Sequence, residues 1–194
     1  MLDRLLADIL ACRICADRLP LGPRPLLRAS TTARLAICAQ APGTRAHLAG
    51  LTFDDASGDR LRDWLGVDRA TFYDAGRIAV VPMGFCYPGT MPRGGDYPPR
   101  PECAPAWREA VFTEMPQIEL KLLVGSYAQA WHLGNRRRAS LTGTVAAWRD
   151  YLPDFLPLPH PSWRNSGWIK RNPWFSAELL PYLKERVVEL AGSR

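Results

Sequence analysis

The chain has 194 residues, 47% hydrophobic and 23% charged, with a net charge of +6. That length suits one domain, residues 1–194, with a real core, and the apolar share excludes a disordered chain. No apolar run approaches the ~20 residues that a bilayer span needs. The N-terminus, with Asp3 and Asp8 among its leucines, also lacks the build of a secretory signal.

In chain order, Leu2, Leu5, Leu6, Ile9 and Leu10 predict an amphipathic N-terminal helix. Apolar runs at Arg34–Cys38, Arg77–Val81, Leu120–Val124 and Phe155–Leu158 read as buried parallel strands. Between them, Leu61, Trp64 and Leu65 recur at helical spacing after a cap at Ser57 or Asp59. Tyr127, Ala130 and Trp131 repeat that spacing after Gly125-Ser126, and Leu179–Leu190 closes the chain as a helix. Strands alternating with helices imply an α/β fold, a parallel sheet covered on both faces. Ligands in such sheets bind at the loops beyond the carboxyl ends of the strands.

Those loops are Ala39–Gly43, Pro82–Gly89, Gly125-Ser126 and Pro159–Ser162, each rich in Gly, Pro and small polar residues. Tyr87–Pro105 is long and irregular, and a loop of that size usually has a function or a tether.

The chain carries five cysteines, too few for its length to suggest a disulfide-stapled domain. Cys12 and Cys15 form a C-x2-C pair, while Cys86 and Cys103 flank the long loop. Four thiolates suit zinc or an iron–sulfur cluster; the alternative is that Cys86 and Cys103 are unrelated loop residues. Cys38, inside a strand, reads as a small core residue. A reduced, cytoplasmic setting follows from this usage.

Ala39–Gly43 is neither a Walker loop nor G-x-G-x-x-G. It offers main-chain amides and Gln40 to a small polar heterocycle, with Phe53 as a stacking surface or as ordinary core. Asp54 and Asp55 suit a turn or a helix cap as readily as catalysis. His160, between Pro159 and Pro161, is a rigidly held donor at a strand end; His132, after Trp131, reads as structural. Of the 25 basic residues only three are Lys, and arginine forks suit phosphate. Arg164, Lys170 and Arg171 interleave with Trp163, Trp168 and Trp174, which suits a distorted nucleic-acid strand or a solvated loop over core tryptophans. A phosphate hydrolase on the same sheet lacks the metal-binding carboxylates it needs.

Taken in order, C-x2-C, strand, Ala-Gln-Ala-Pro-Gly, Gly-x-x-Phe, strand, Cys-x16-Cys, Leu-x-Val-Gly and His-Pro-Ser resemble the uracil-DNA glycosylase superfamily. The closest branch is similar to the iron–sulfur, family-4-type enzymes, over about Leu10 to Trp174. The resemblance implies a three-layer α/β/α sandwich with a central four-stranded parallel sheet, and release of uracil from deoxyuridine flipped out of single- or double-stranded DNA by a monomeric enzyme. It assigns the base and water site to Ala39, Gln40, Ala41, Pro42 and Gly43, and stacking to Phe53. His160 becomes the donor to uracil O2, and Ser162, Arg164, Asn165, Lys170 and Arg171 become the DNA face. Cys12, Cys15, Cys86 and Cys103 become ligands of a structural [4Fe–4S] cluster, with zinc as the alternative.

Four positions bear on the family pattern. Ala39 replaces the usual glycine, Ala41 stands where family-1 enzymes hold a water-activating Asp and family-4-type members a small residue, Gln40 stands where many of the latter have Glu, and Pro82 replaces the Asn that reads the uracil amide. Asp54 and Asp55 are then the substitute carboxylates. The departures also admit a DNA-binding relative with weak or no glycosylase chemistry.

Overall fold

The computed structural model describes residues 1–192. Four parallel strands, β1 (Leu35–Cys38), β2 (Ile78–Val80), β3 (Leu120–Val124) and β4 (Phe155–Leu158), lie in the order β2-β1-β3-β4. Each matches its predicted run to within a residue at either end. They are almost continuously apolar because both sheet faces are covered.

Side-chain alternation along the strands divides the core. Leu35 and Ile37 of β1, Ile78 and Val80 of β2, and Leu120, Leu122 and Val124 of β3 face one layer. That layer comprises α3 (Ala56–Leu65), α4 (Arg69–Tyr73) and α9 (Leu180–Ala191), the last entered through a π-helical turn, Phe175–Leu179. Fully burying one such Leu, Ile or Phe contributes roughly 1.5–3 kcal/mol. Ala36 and Ala79 point to the opposite face, where their small size lets α1 (Leu2–Leu10) and α5 (Cys103–Thr113) approach closely. Cys38 and Leu123 extend that face under α6 (Ser126–Leu133). The result is the three-layer α/β/α sandwich.

Of the caps the sequence offers for α3, the one used is Asp55 rather than Ser57 or Asp59; it accepts from the Gly58 amide at 2.8 Å. One detail differs from the sequence expectation. The buried face of α6 is Ala128, Gln129 and Leu133, whereas Tyr127 and Trp131 are exposed. The reason is Gln129, whose amide donates to the carbonyls of Leu123 and Leu158 at 3.3 and 2.9 Å. A buried amide satisfied at the strand ends takes the place an apolar residue was expected to fill.

The short helices α2 (Thr44–Ala49), α7 (Leu141–Ala146) and α8 (Ser166–Arg171) complete the elements used below. Because the chain moves from β1 outward to β2 and then returns to place β3 on the other side of β1, the loops after β1 and β3 diverge. They open a crevice at the carboxyl edge.

Candidate active site

That crevice is a cavity of about 520 Å³, inside the range of small-molecule sites. Its walls come from every strand end. Ala39, Gln40, Ala41, Pro42 and Gly43 follow β1, Pro82 follows β2, Tyr127 lies just beyond β3, and His160, Ser162, Trp163 and Arg164 follow β4. Phe53 and Asp55, ahead of α3, and Met91, Gly95 and Asp96, from the long loop, close it.

The β1 loop is held by its main chain. The carbonyls of Ala39 and Gln40 accept from the amides of Met83 and Gly84 at 2.7 and 3.0 Å, continuing the sheet pairing past the strand ends. The Gln40 side-chain amide donates to the Tyr97 carbonyl at 3.2 Å, tying this loop to the long one.

Phe53 sits at φ 59°, a left-handed conformation that costs a non-glycine residue energy and persists only where the surroundings enforce it. Here its carbonyl accepts from Tyr73 Oη at 3.0 Å and Arg62 Nη1 at 3.2 Å. A Cβ on Gly58 would fall 1.8 Å from that oxygen, so only glycine fits there. The Phe53 ring meets Phe72 edge-on at 6.0 Å.

His160 is fixed from both sides. Its Nδ1 accepts from the Ser162 amide at 3.2 Å, and its carbonyl accepts from Asn165 Nδ2 at 2.7 Å. Burial lowers its pKa below the ordinary histidine value, with Asp55 pulling weakly the other way. The ring is therefore neutral with its proton on Nε2. Asn165, read from sequence as a DNA contact, spends its amide donor on this loop. Arg60 holds the same turn, donating to the Ser162 carbonyl at 2.9 Å and to Ser166 Oγ at 3.2 Å.

The two acids after Phe53 separate. Asp55 lines the cavity while capping α3. Asp54 turns to Arg69 at 2.8 Å and is absent from the lining. The tryptophans also separate: Trp163 is 74% exposed at the cavity rim. Trp168 and Trp174 pack edge-to-face with each other at 5.8 Å and against Phe175. Arg164, Lys170 and Arg171 are all exposed beside this face. Sequence reasoning missed Asp96, Tyr127 and Met91; for Asp96 the one local signal was the preceding Gly94-Gly95 pair.

A second cavity lies on the far side of the Pro82–Cys86 segment. Cys12, Cys15, Cys86 and Cys103 all line it, together with Pro23, Pro25, Phe85 and Trp107. None of these cysteines is in a disulfide. Cys103 Sγ accepts from the Phe85 amide at 3.3 Å. Burial is the first cause that pushes the Cys86 thiol to about 11 and the Cys103 thiol to about 12, and the neighbouring cysteines add to it. Among the described residues, no three His, Cys, Asp or Glu side chains converge tightly enough to hold a single metal ion. Cys38 is fully buried in the core, as its strand position implied.

Helix α5 joins the two cavities, beginning at Cys103 and carrying the buried Arg108. Arg108 Nη1 donates to the carbonyls of Val81 and Pro82 at 2.8 and 2.7 Å, and Nη2 donates to His132 Nε2 at 2.6 Å. His132 is thus structural, and burial beside Arg108 lowers its pKa to about 3.

A neutral histidine, an aromatic face and a side-chain amide are thus gathered at the carboxyl edge of a parallel α/β sandwich. The chain belongs to the uracil DNA glycosylase superfamily, whose family model matches residues 28–184, most of its length. Membership supports a DNA glycosylase, a hydrolase of DNA repair, and implies DNA as a partner. Among the described residues, no helix is long and apolar enough to cross a membrane.

Proposed function

We propose that the protein is a monofunctional uracil-DNA glycosylase of base excision repair, acting in the cytoplasm as a monomer. It hydrolyses the N-glycosidic bond of a flipped-out deoxyuridine and leaves an abasic site. The observation that carries this reading is the convergence of Gln40, Phe53 and His160 on one cavity at the sheet's carboxyl edge.

The flipped base stacks on Phe53, whose main chain is locked by Arg62 and Tyr73. As the C1′–N1 bond breaks, negative charge builds on uracil O2, and the Nε2 proton of His160 meets it. A preorganised donor of this kind costs no reorganisation at the moment of reaction. A neutral imidazole donates this bond without surrendering its proton. Ala39, Ala41, Pro42 and Gly43 shape the wall along the uracil edge. Pro82 supplies no side-chain amide, so recognition of that edge falls to Gln40 and the main chain. The preference against other deaminated bases is accordingly weaker than an asparagine would give.

Ser162, Arg164, Lys170 and Arg171 form the DNA face on a turn that Asn165 holds, and exposed Trp163 is the wedge that fills the vacated stack. Single- and double-stranded DNA both present the phosphates this face needs.

Cys12, Cys15, Cys86 and Cys103 hold a structural [4Fe–4S] cluster, which supplies cross-linking rather than a chemical step. Support comes from the all-thiol donor set around one cavity and the N–H donor to Cys103 Sγ. Zinc, which four thiolates also suit, is the alternative.

The experiment is alkaline cleavage of uracil-containing oligonucleotides, single- and double-stranded, after incubation with the purified protein. Strand breaks at uracil are expected. Salt-dependent DNA binding without base release would instead favour a non-catalytic DNA-binding relative, the reading that Gln40, Ala41 and Pro82 support.

A further inference from the structure

We infer that Asp96 is the catalytic carboxylate of the pocket, taking the proton of the water that attacks C1′, a task that Ala41 on the β1 loop cannot perform. The inference rests on the glycosylase reading above and adds a residue from outside the β1 loop.

Two carboxylates line the cavity, Asp55 and Asp96. Asp55 commits Oδ1 to capping α3. Asp96 makes no ion pair within 4.0 Å among the described residues. It is half-buried, and burial raises its pKa above the ordinary aspartate value, the direction that makes a stronger base. The charged groups facing it are Arg164 from the turn after β4, which attracts, and Asp55 ahead of α3, which repels; neutral His160 lines the same cavity.

Its position is built. Thr90 Oγ1 donates to Asp96 Oδ1 at 3.3 Å and lies 2.6 Å from Tyr87 Oη. An isolated bridge joins Thr90 to Asp96, and the amides of Met91 and Tyr97 donate to the carbonyls of Gly95 and Gly89 at 2.8 Å each. The Gln40–Tyr97 bond pins this hairpin to the β1 loop. Asp96 Oδ2 therefore rests against the β1 loop, 3.1 Å from where a Cβ on Gly43 would stand. A side chain from the long loop thus reaches the same stretch of backbone that Ala41 leaves without a carboxylate.

The step balances without a further reactant. The water oxygen bonds to C1′ as the C1′–N1 bond breaks, and the bonding pair leaves on the base, held by His160. The water proton passes to the Asp96 carboxylate and then to solvent, leaving the abasic hemiacetal.

The test is single-turnover release of uracil by the full-length protein, wild type against Asp96→Asn, across pH. General-base catalysis is typically worth ~10²–10⁴-fold. Asp96→Asn should therefore lose about a hundredfold or more and shed the acid limb of the pH–rate profile, with the dissociation constant for abasic-site DNA unchanged. Added formate should restore part of the rate to Asp96→Ala. A rate within about threefold of wild type with the acid limb intact would overturn the inference and leave the glycosylase reading standing. So would a fall in rate, folding and DNA affinity together that formate does not relieve. If the wild type itself releases no base, the glycosylase reading falls, and this inference with it.

Discussion

The Ser162 amide donates to Nδ1 of His160 at 3.2 Å, and that one bond decides which ring nitrogen carries the proton. With Nδ1 occupied as an acceptor and burial favouring the neutral form, Nε2–H is a permanent donor at the cavity wall.

His160→Ala should thus lower single-turnover base release by ~10²–10³-fold, the typical worth of one preorganised donor. The urea midpoint should move little, because the residue lies at a cavity rather than in the core. A midpoint that collapses along with the rate would mean that His160 serves the fold and not the reaction.

Arg108 and His132 set an acid limit on stability. The folded-state pKa of His132, about 3, lies below its unfolded value of roughly 6.5, so the unfolded chain binds the extra proton as pH falls. The stability is fully present above pH ~6.5 and drains away down to the folded pKa. His160 and His47, also lowered by burial, act in the same direction. Between pH 7.5 and 5 the wild type should lose on the order of 2 kcal/mol more than His132→Gln, whose amide oxygen still accepts from Arg108. Urea melts at the two pH values measure it, and equal slopes would refute it.

Gly58→Ala should cost about 1–3 kcal/mol, as overpacking does, because its methyl meets a main-chain carbonyl that is itself held in place. The displaced Phe53 should also raise KM. Gly167→Ala in α8 is the contrast: its methyl meets only the flexible end of Arg171, at 3.5 Å, and stability should be unchanged or higher.

The aerobically purified protein should be brown, with broad visible absorbance and iron and sulfide in equal amounts. Cys86→Ser or Cys103→Ser should bleach it and lower the unfolding midpoint, while Cys38→Ala should keep the colour. A colourless protein containing zinc would contradict the iron–sulfur assignment.

The strands were legible because parallel strands buried on both faces leave uninterrupted apolar runs, and Leu120–Val124 and Phe155–Leu158 match to the residue. Gln40 and His160 could be singled out because each stands just beyond a strand end among turn-forming neighbours, and Phe53 because it closes the Gly-x-x-Phe stretch that carries the resemblance. Asp96 could not, since its place depends on a path of hydrogen bonds between Thr90, Gly95 and Tyr97 that carries no periodicity. The outward face of α6 was misjudged for a related reason: hydropathy counts Gln129 as polar and cannot see the two carbonyls waiting for it.

Pro82 borders one cavity and Gly84, Phe85 and Cys86 border the other, so the two chambers share a party wall. A shared partition gives neither room its own tolerance. In the proposed enzyme, a change on the thiol side, by oxidation or by loss of a bound cluster, would also shift Pro82 against the base. Arg108, clamped to Pro82 from a helix that begins at Cys103, makes that partition rigid. Fidelity of base reading and integrity of the thiol chamber are consequently one engineering problem, and a lesion in the second should surface as an error in the first.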